Sequence, residues 1–390
     1  MKVFLATEFR CTVYKEEYYL ATRAYVIFVR YAEAFGDIIL CSRFERVDEL
    51  PFDCVRANFV KGIVDCESLG KTLLGGYKNK MMQAIKDSDL VVGRFPSIIA
   101  FRARDYAKKL GKVFVAELMC DGLDSYWNHS LKGKLIAPYM TMKMRQCTWD
   151  ADFAIYVTEK FLQSKYPCKN PTINASNVVI KDINQKILAG RLEKIKRMDI
   201  NNISMMTSAC VAQHSKGQEY VIKAIGLLKK KGINVTYYLA GEGSQKYLRQ
   251  FAQKAGVEEQ IIFMGRLAIE RIFEKLDEID IYIQPSLQEG LPRAVIEALS
   301  RACPVMGART AGIPELMDDE CVFERASAES IAKTAMVILK NGLEGYAKRN
   351  FEHSKLFLND TLNKRRNEFY KQIRNRVIQN QELLNIISEV

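Results

Sequence analysis

Short apolar runs alternate with longer amphipathic segments from one end of the 390-residue chain to the other. A strand buried on both faces reads as a continuous apolar run, and parallel strands need a crossover between them, so this rhythm restricts the chain to an α/β architecture. The runs fall into two series, at about 2–6, 37–41, 88–93, 112–117 and 153–157, then at about 203–208, 234–240, 260–264, 280–284 and 304–308. Between the series, residues 168–202 are polar and show no clean strand–helix rhythm, which marks a join between domains. The expectation is two doubly wound parallel-sheet domains, 1–175 and 176–359, facing one another across a cleft. After about 325 the chain turns helical. Leu362, Phe369, Ile373, Val377 and Leu384 form the apolar side of one long helix or two shorter ones over about 360–390, expected to pack back on the first domain.

In such folds ligands bind beyond the carboxyl ends of the strands, so the loops after 6, 93, 117, 208, 240, 264 and 284 are the ones to search. Composition narrows the ligand only a little. The ten cysteines show no Cys-x-x-Cys and no paired Cys/His spacing, against a zinc site or a disulfide framework. No run of about 18 apolar residues and no signal-peptide pattern occurs, so a cytoplasmic protein is expected. The net charge of +12 is spread evenly, +6 on residues 1–170 and +6 on the rest, with no basic tail; this disfavours a nucleic-acid partner and leaves phosphate-bearing ligands or an anionic membrane surface.

The most unusual stretch is "PSLQEGLPRAVIEALSRACPV", Pro285–Val305. A buried strand, "IDIYIQPS", leads through "LQEG" into a helix, with Pro292 expected at its first position, where a missing N–H costs nothing. The free N–H groups of that helix start form an anion site, and Gly290 removes the side chain that would block a phosphate. Within the helix Glu297 is surrounded by Ala294, Val295, Ile296, Ala298, Leu299 and Ala302, so it needs hydrogen-bond donors, such as sugar hydroxyls, to remain ionised. The alternatives are an i,i+4 pair of Glu297 with Arg293 and a capping role for Glu289.

The segment resembles the signature of glycosyltransferase family 4, retaining enzymes of the two-Rossmann-domain GT-B fold, in which two glutamates are separated by seven residues as Glu289 and Glu297 are. "TAGIPELM" is similar to the family's Gly-Gly-x-Pro-Glu stretch, "HSKGQEYVIKAIGLL" to its Lys-Gly segment, "YYLAGEGSQKYL" to its second-strand turn and "IIFMGRL" to its base loop. The resemblance implies that Glu289 contacts donor-sugar hydroxyls, Glu297 the ribose and Lys216 the diphosphate. Gly290 and Leu291 then offer N–H groups, Gly241 forms the second-strand turn, and Gly265 and Arg266 border the base. Many relatives carry an arginine a few residues before Lys216. None occurs here between Ile203 and Lys216, leaving His214 or a distant arginine to substitute.

The first half looks similar to bacterial surface-polysaccharide members of the family in "RYAEAFGDIILCSR", "VVGRFPSIIAFRARDYAKKLGKVFVAE" and "DGLDSYWNHSLKGKLIAPYM", although the Gly-Gly turn often found after the first strand is missing from "FLATEFRCTVYKEEYY". Arg94, just past a strand, suits an anionic acceptor or the donor phosphate; Glu117 and Asp121 suit an acceptor hydroxyl; His129 suits the donor sugar. Around Lys132, Lys134, Lys143 and Arg145 the sequence has the make-up of a basic amphipathic helix for an anionic bilayer, or of a Met-rich core helix.

The reading is a retaining, metal-independent glycosyltransferase that needs no cofactor. It moves a sugar from a nucleotide-diphosphate donor to a saccharide acceptor, lipid-linked and at the inner membrane face, in surface-polysaccharide synthesis. A catalytically degenerate nucleotide-sugar-binding partner protein and an epimerase of the same fold are the alternatives. "GEG" without a third glycine argues against a dinucleotide enzyme.

Overall fold

The computed structural model describes residues 1–128 and 131–389. The first half is built on seven parallel strands in the order Thr172–Asn174, Phe153–Tyr156, Val113–Leu118, Leu90–Phe95, Lys2–Ala6, Asp37–Ser42 and Val60–Asp65. Successive residues of a strand point to opposite faces. Accordingly Phe4 and Ala6 enter one apolar layer and Val3 and Leu5 the other, so the sheet is buried on both sides. The second half repeats the plan with six parallel strands, in the order Ile261–Gly265, Asn234–Ala240, Asn202–Ser208, Ile281–Gln284, Val305–Ala308 and Val322–Phe323.

All ten expected strands are present within two residues of their expected limits. The strands missed, Val60–Asp65, Thr172–Asn174 and Val322–Phe323, lie at sheet edges. An edge strand is covered on fewer sides, and "VKGIVD" and "TIN" accordingly lack a continuous apolar run. Also unforeseen is a four-stranded sheet, Phe44–Arg46, Cys11–Tyr14, Glu17–Ala21 and Cys54–Arg56, inserted around the first crossover. Its tight hairpin turns at Lys15 and Glu16, both at positive φ (47° and 59°), where glycine or asparagine would signal a turn; here neither is present to read.

The polar stretch 168–202 is more regular than expected. It contributes an edge strand and the helix Gln185–Lys196, capped by Asn184, whose Oδ1 accepts from Lys186 N at 3.0 Å. Arg191 on this helix is buried, donating to the carbonyls of Ile279 (2.5 Å) and Leu276. The chain leaves the first core at Ala175 and enters the second at Val178. It returns beside that crossing, where Asn359 N donates to Ile180 O at 2.8 Å. The C-terminal helix, Asn359–Glu389, is one continuous element. Leu362 joins the second domain's core, whereas Phe369, Ile373 and Val377, four residues apart, join the first domain's. The side chain of Leu384 lies outside the described residues.

Candidate functional site

Each sheet reverses its strand order once, the second between Asn202–Ser208 and Ile281–Gln284. Loops leaving two strands at such a point run in opposite directions and open a crevice. The loop after Ser208 ends in a short 3-10 turn, His214–Lys216, followed by Gly217 at φ +67°. A Cβ at Gly217 would stand 2.2 Å from Pro285 O, so glycine lets the two loops touch, and Leu287 N donates to Ser215 O at 2.8 Å. This contact brings Lys216 Nζ to 2.7 Å from Glu289 Oε1, with 23 % and 14 % of the two side chains still exposed. Gln284 Nε2 donates to the same carboxylate oxygen at 3.1 Å. Gln284 is itself buried and fixed by Tyr282 OH and Ser286 Oγ, both at 2.8 Å. Sequence reasoning missed Gln284; a glutamine closing the apolar strand "IYIQ" was the available signal.

The helix after the second loop spans Arg293–Ser300, so Pro292 precedes it rather than filling its first position; the ring fixes φ at −70° but leaves ψ at an extended 118°. The N–H groups of Gly290 and Leu291 donate to no described residue. Gly290 also allows the first domain's backbone to approach: a Cβ would lie 1.9 Å from Met119 O. Leu291 packs against both domains' cores.

Glu297 is half-buried on the wall of a cavity of about 1000 Å³ shared by Ser208, Cys210, Gly241, Glu242 and Arg266. Burial raises its pKa above the usual carboxylate value, with the Arg293 charge opposing. No ion pair between Glu297 and Arg293 forms among the described residues. A second cavity of about 330 Å³ contains Lys216, Glu289, Gly290 and Leu291. Both are walled by Arg23, Ile27, Asn177 and Arg293, so they are parts of one cleft with contributions from both domains. Gly241 is held by packing, since a Cβ would stand 1.9 Å from Ala209 O. Gly265, at φ +69°, accepts from Gly241 N at 2.8 Å and turns the chain so that Arg266 reaches the cleft. There Arg266 pairs with Asp53 of the first domain at 3.2 Å. His214 lies against Tyr247, ring centroids 4.1 Å apart and planes tilted by 36°, and lines neither cavity. The cleft's further cations are Arg293, which the sequence offered only as a partner for Glu297, and Arg23, which no motif marks.

The described first-domain candidates are held by contacts outside the two cavities. Arg94 and Glu117 face each other across adjacent strands, paired in register. Their side chains form a buried ion pair at 2.5 Å, to which Tyr31 OH (3.0 Å) and Asn177 Nδ2 (3.3 Å) also donate. Burial works to raise the Glu117 pKa, but Arg94 and these donors outweigh it and hold the carboxyl below its usual value. Neither residue lines either cavity of the cleft. Asp121 is buried too; it caps the helix Gly122–Trp127 by accepting from Leu123 N at 3.2 Å, pairs with Lys165 at 2.5 Å and accepts from Tyr166 OH. Its carboxylate is occupied and lines neither cavity of the cleft. His129 lies outside the described residues.

Among the described residues no cluster suited to a metal ion occurs. Two Asp-x-Asp spacings exist, at Asp87–Asp89 and Asp150–Asp152, both outside the cleft and engaged elsewhere: Asp89 with Lys2 N, Asp150 with Arg104 and Lys108, Asp152 with Phe114 N.

Two doubly wound domains enclosing a lysine–carboxylate pair and free N–H groups define a cleft for an anionic ligand. Residues 202–341 match the family model described as "Glycosyl transferases group 1". The chain is 30 % identical over 351 residues to protein CapJ of Staphylococcus aureus, covering 85 % of each, and 33 % identical over 110 residues to the amylovoran biosynthesis glycosyltransferase AmsK of Erwinia amylovora, covering 26 % of this chain and 27 % of the relative. The crystal structure of Anabaena HepE in complex with UDP-glucose has the same fold, with a TM-score of 0.61 at 16 % identity, covering 95 % of this chain and 99 % of that one. The chain belongs to the group 1 glycosyltransferases, family-4-like enzymes of the GT-B fold, and is a glycosyltransferase.

Proposed function

We propose that the protein is a retaining, metal-independent glycosyltransferase of surface-polysaccharide synthesis that takes a nucleotide-diphosphate sugar as donor and a saccharide hydroxyl as acceptor. The observation that carries this reading is the Lys216–Glu289 pair beside the free N–H groups of Gly290 and Leu291. A departing diphosphate placed there meets a lysine and preorganised backbone donors, which stabilise charge as it develops without reorganisation. Glu289, with one oxygen held by Gln284 and Lys216, offers its remaining acceptor capacity to donor-sugar hydroxyls. Glu297, unpaired on the wall of the larger cavity, takes the ribose hydroxyls. HepE, whose structure holds UDP-glucose, and AmsK, named for polysaccharide synthesis, support the donor class and the pathway class. The mechanism proposed with this reading is front-face attack, in which the leaving phosphate takes the proton of the acceptor hydroxyl.

A lipid-linked acceptor at the inner membrane face fits the helix Leu131–Trp149. Met140, Met144 and Cys147 are buried in the core, while Leu131, Leu135, Met142 and Trp149 are exposed beside Lys132 and Lys134. Such an apolar stripe with adjacent lysines suits an anionic interface. No helix among the described residues is long and apolar enough to cross a membrane.

Calorimetric titration with UDP, GDP, ADP and NAD, without divalent metal, tests the reading. Binding of one nucleoside diphosphate that Glu297→Ala weakens is the expected result; indifference of all binding to Glu297 overturns the donor site.

A further inference from the structure

Outside the cleft, a cavity of about 720 Å³ lies between the helix Thr22–Phe35 and the C-terminal helix. Four cationic side chains, Arg30, Arg366, Lys371 and Arg374, face Glu33 as the single carboxylate of its wall. Arg366 is only 3 % exposed. Its guanidinium donates to Ser176 O and to Asn363 Oδ1 at 3.3 Å, both neutral. Arg30 donates to Asn177 Oδ1 at 2.9 Å, and Arg374 to Ala34 O. None of the four cations has an ion-pair partner among the described residues. The nearest buried carboxylate, Glu117, is already taken by Arg94, so three guanidinium groups share one buried negative charge. The strain registers in the charges themselves: burial, and then the neighbouring Arg30, push the Arg366 pKa down to about 10.

A buried guanidinium without a counter-ion is costly, and an oxyanion accepting its planar fork of N–H groups removes that cost. A wall carrying three more positive than negative charges calls for an anion of more than one charge. We propose that this cavity binds a phosphate-bearing molecule at a site separate from the donor cleft, with Arg30 and Arg366 as its floor and Lys371 and Arg374 at its rim. The site does not depend on the roles proposed for Glu289 and Glu297.

The test is calorimetric titration of inorganic pyrophosphate at physiological ionic strength into three full-length forms: wild type, Lys216→Ala, and Lys216→Ala with Lys371→Ala and Arg374→Ala. The rim residues are exposed, so their removal leaves the fold intact, whereas an Arg366 variant risks unfolding. Binding is expected to persist in Lys216→Ala and to weaken about tenfold or more in the triple variant. Complete loss of binding in Lys216→Ala, or equal binding by the two variants, overturns the proposal. Glucose 1-phosphate and vesicles containing phosphatidic acid then separate a soluble sugar phosphate from a lipid headgroup; binding of either that needs Lys371 and Arg374 supports the site and names its source.

Discussion

Two ion pairs of this molecule have the same ingredients and opposite consequences. Arg94–Glu117 and Lys216–Glu289 each join a basic residue to a glutamate near the carboxyl ends of parallel strands, at 2.5 and 2.7 Å. The first is sealed between Phe9, Phe28 and Tyr31, with the Arg94 guanidinium 5.1 and 5.2 Å from the two phenylalanine ring centres. The second opens onto a cavity with unused N–H groups alongside. Composition and strand position do not separate a sealed pair from a reachable one; only the packing around each pair does.

Breaking the sealed pair should have the largest effect. Arg94→Ala leaves Glu117 buried without its counter-charge and should cost about 3–5 kcal/mol of stability by urea unfolding, whereas replacing both residues by methionine should recover most of the loss. If Arg94→Ala instead leaves stability intact and abolishes transfer, the contrast fails. Glu289→Ala should do the reverse, lowering turnover by about a hundredfold or more with a much smaller change in nucleotide affinity and in melting temperature. Equal losses in binding and turnover would contradict its assignment to the reacting sugar. Glu297→Ala should weaken nucleoside diphosphate binding by about 1.5–3 kcal/mol, seen calorimetrically, with turnover at saturating donor changed less.

The smallest effect is a difference in sign with pH. The Glu117 pKa is depressed in the folded protein, so the stability it contributes is present above the ordinary glutamate pKa and is lost as pH falls towards the folded value. The Glu297 pKa is raised, so the folded state holds its proton more tightly than the unfolded chain, and Glu297 detracts from stability as pH rises through that window. Melting curves should therefore show Glu117→Gln losing acid sensitivity, and Glu297→Gln melting slightly above wild type at neutral pH while binding nucleotide less well.

The two halves also differ in how much of them the sequence disclosed. In the second, Lys216, Gly217, Glu289 and Gly290 sit on loops at one switch point and Glu297 on the helix that follows, so short-range motifs on neighbouring segments already placed them at one locus. In the first, Arg94, Glu117 and Asp121 looked like site residues because strand ends are where site residues lie, yet lateral pairing between strands and helix capping had claimed all three. Arg23 gave no motif at all, since what makes it relevant is the cavity it faces, and Gln284 matters only through the Glu289 carboxylate that it holds.

The sequence by itself determined the strand–helix alternation, the two sheets and the helix carrying Glu297, because burial on both faces of a strand leaves a local apolar run that can be counted. Only the tertiary structure decided which charges are sealed and which are reachable, that Gly290 yields its space to Met119 of the other domain, and that Arg30 and Arg366 meet across 336 residues without a carboxylate of their own. Those outcomes rest on contacts between segments far apart in the chain, and no local pattern of residue types encodes which distant neighbour arrives.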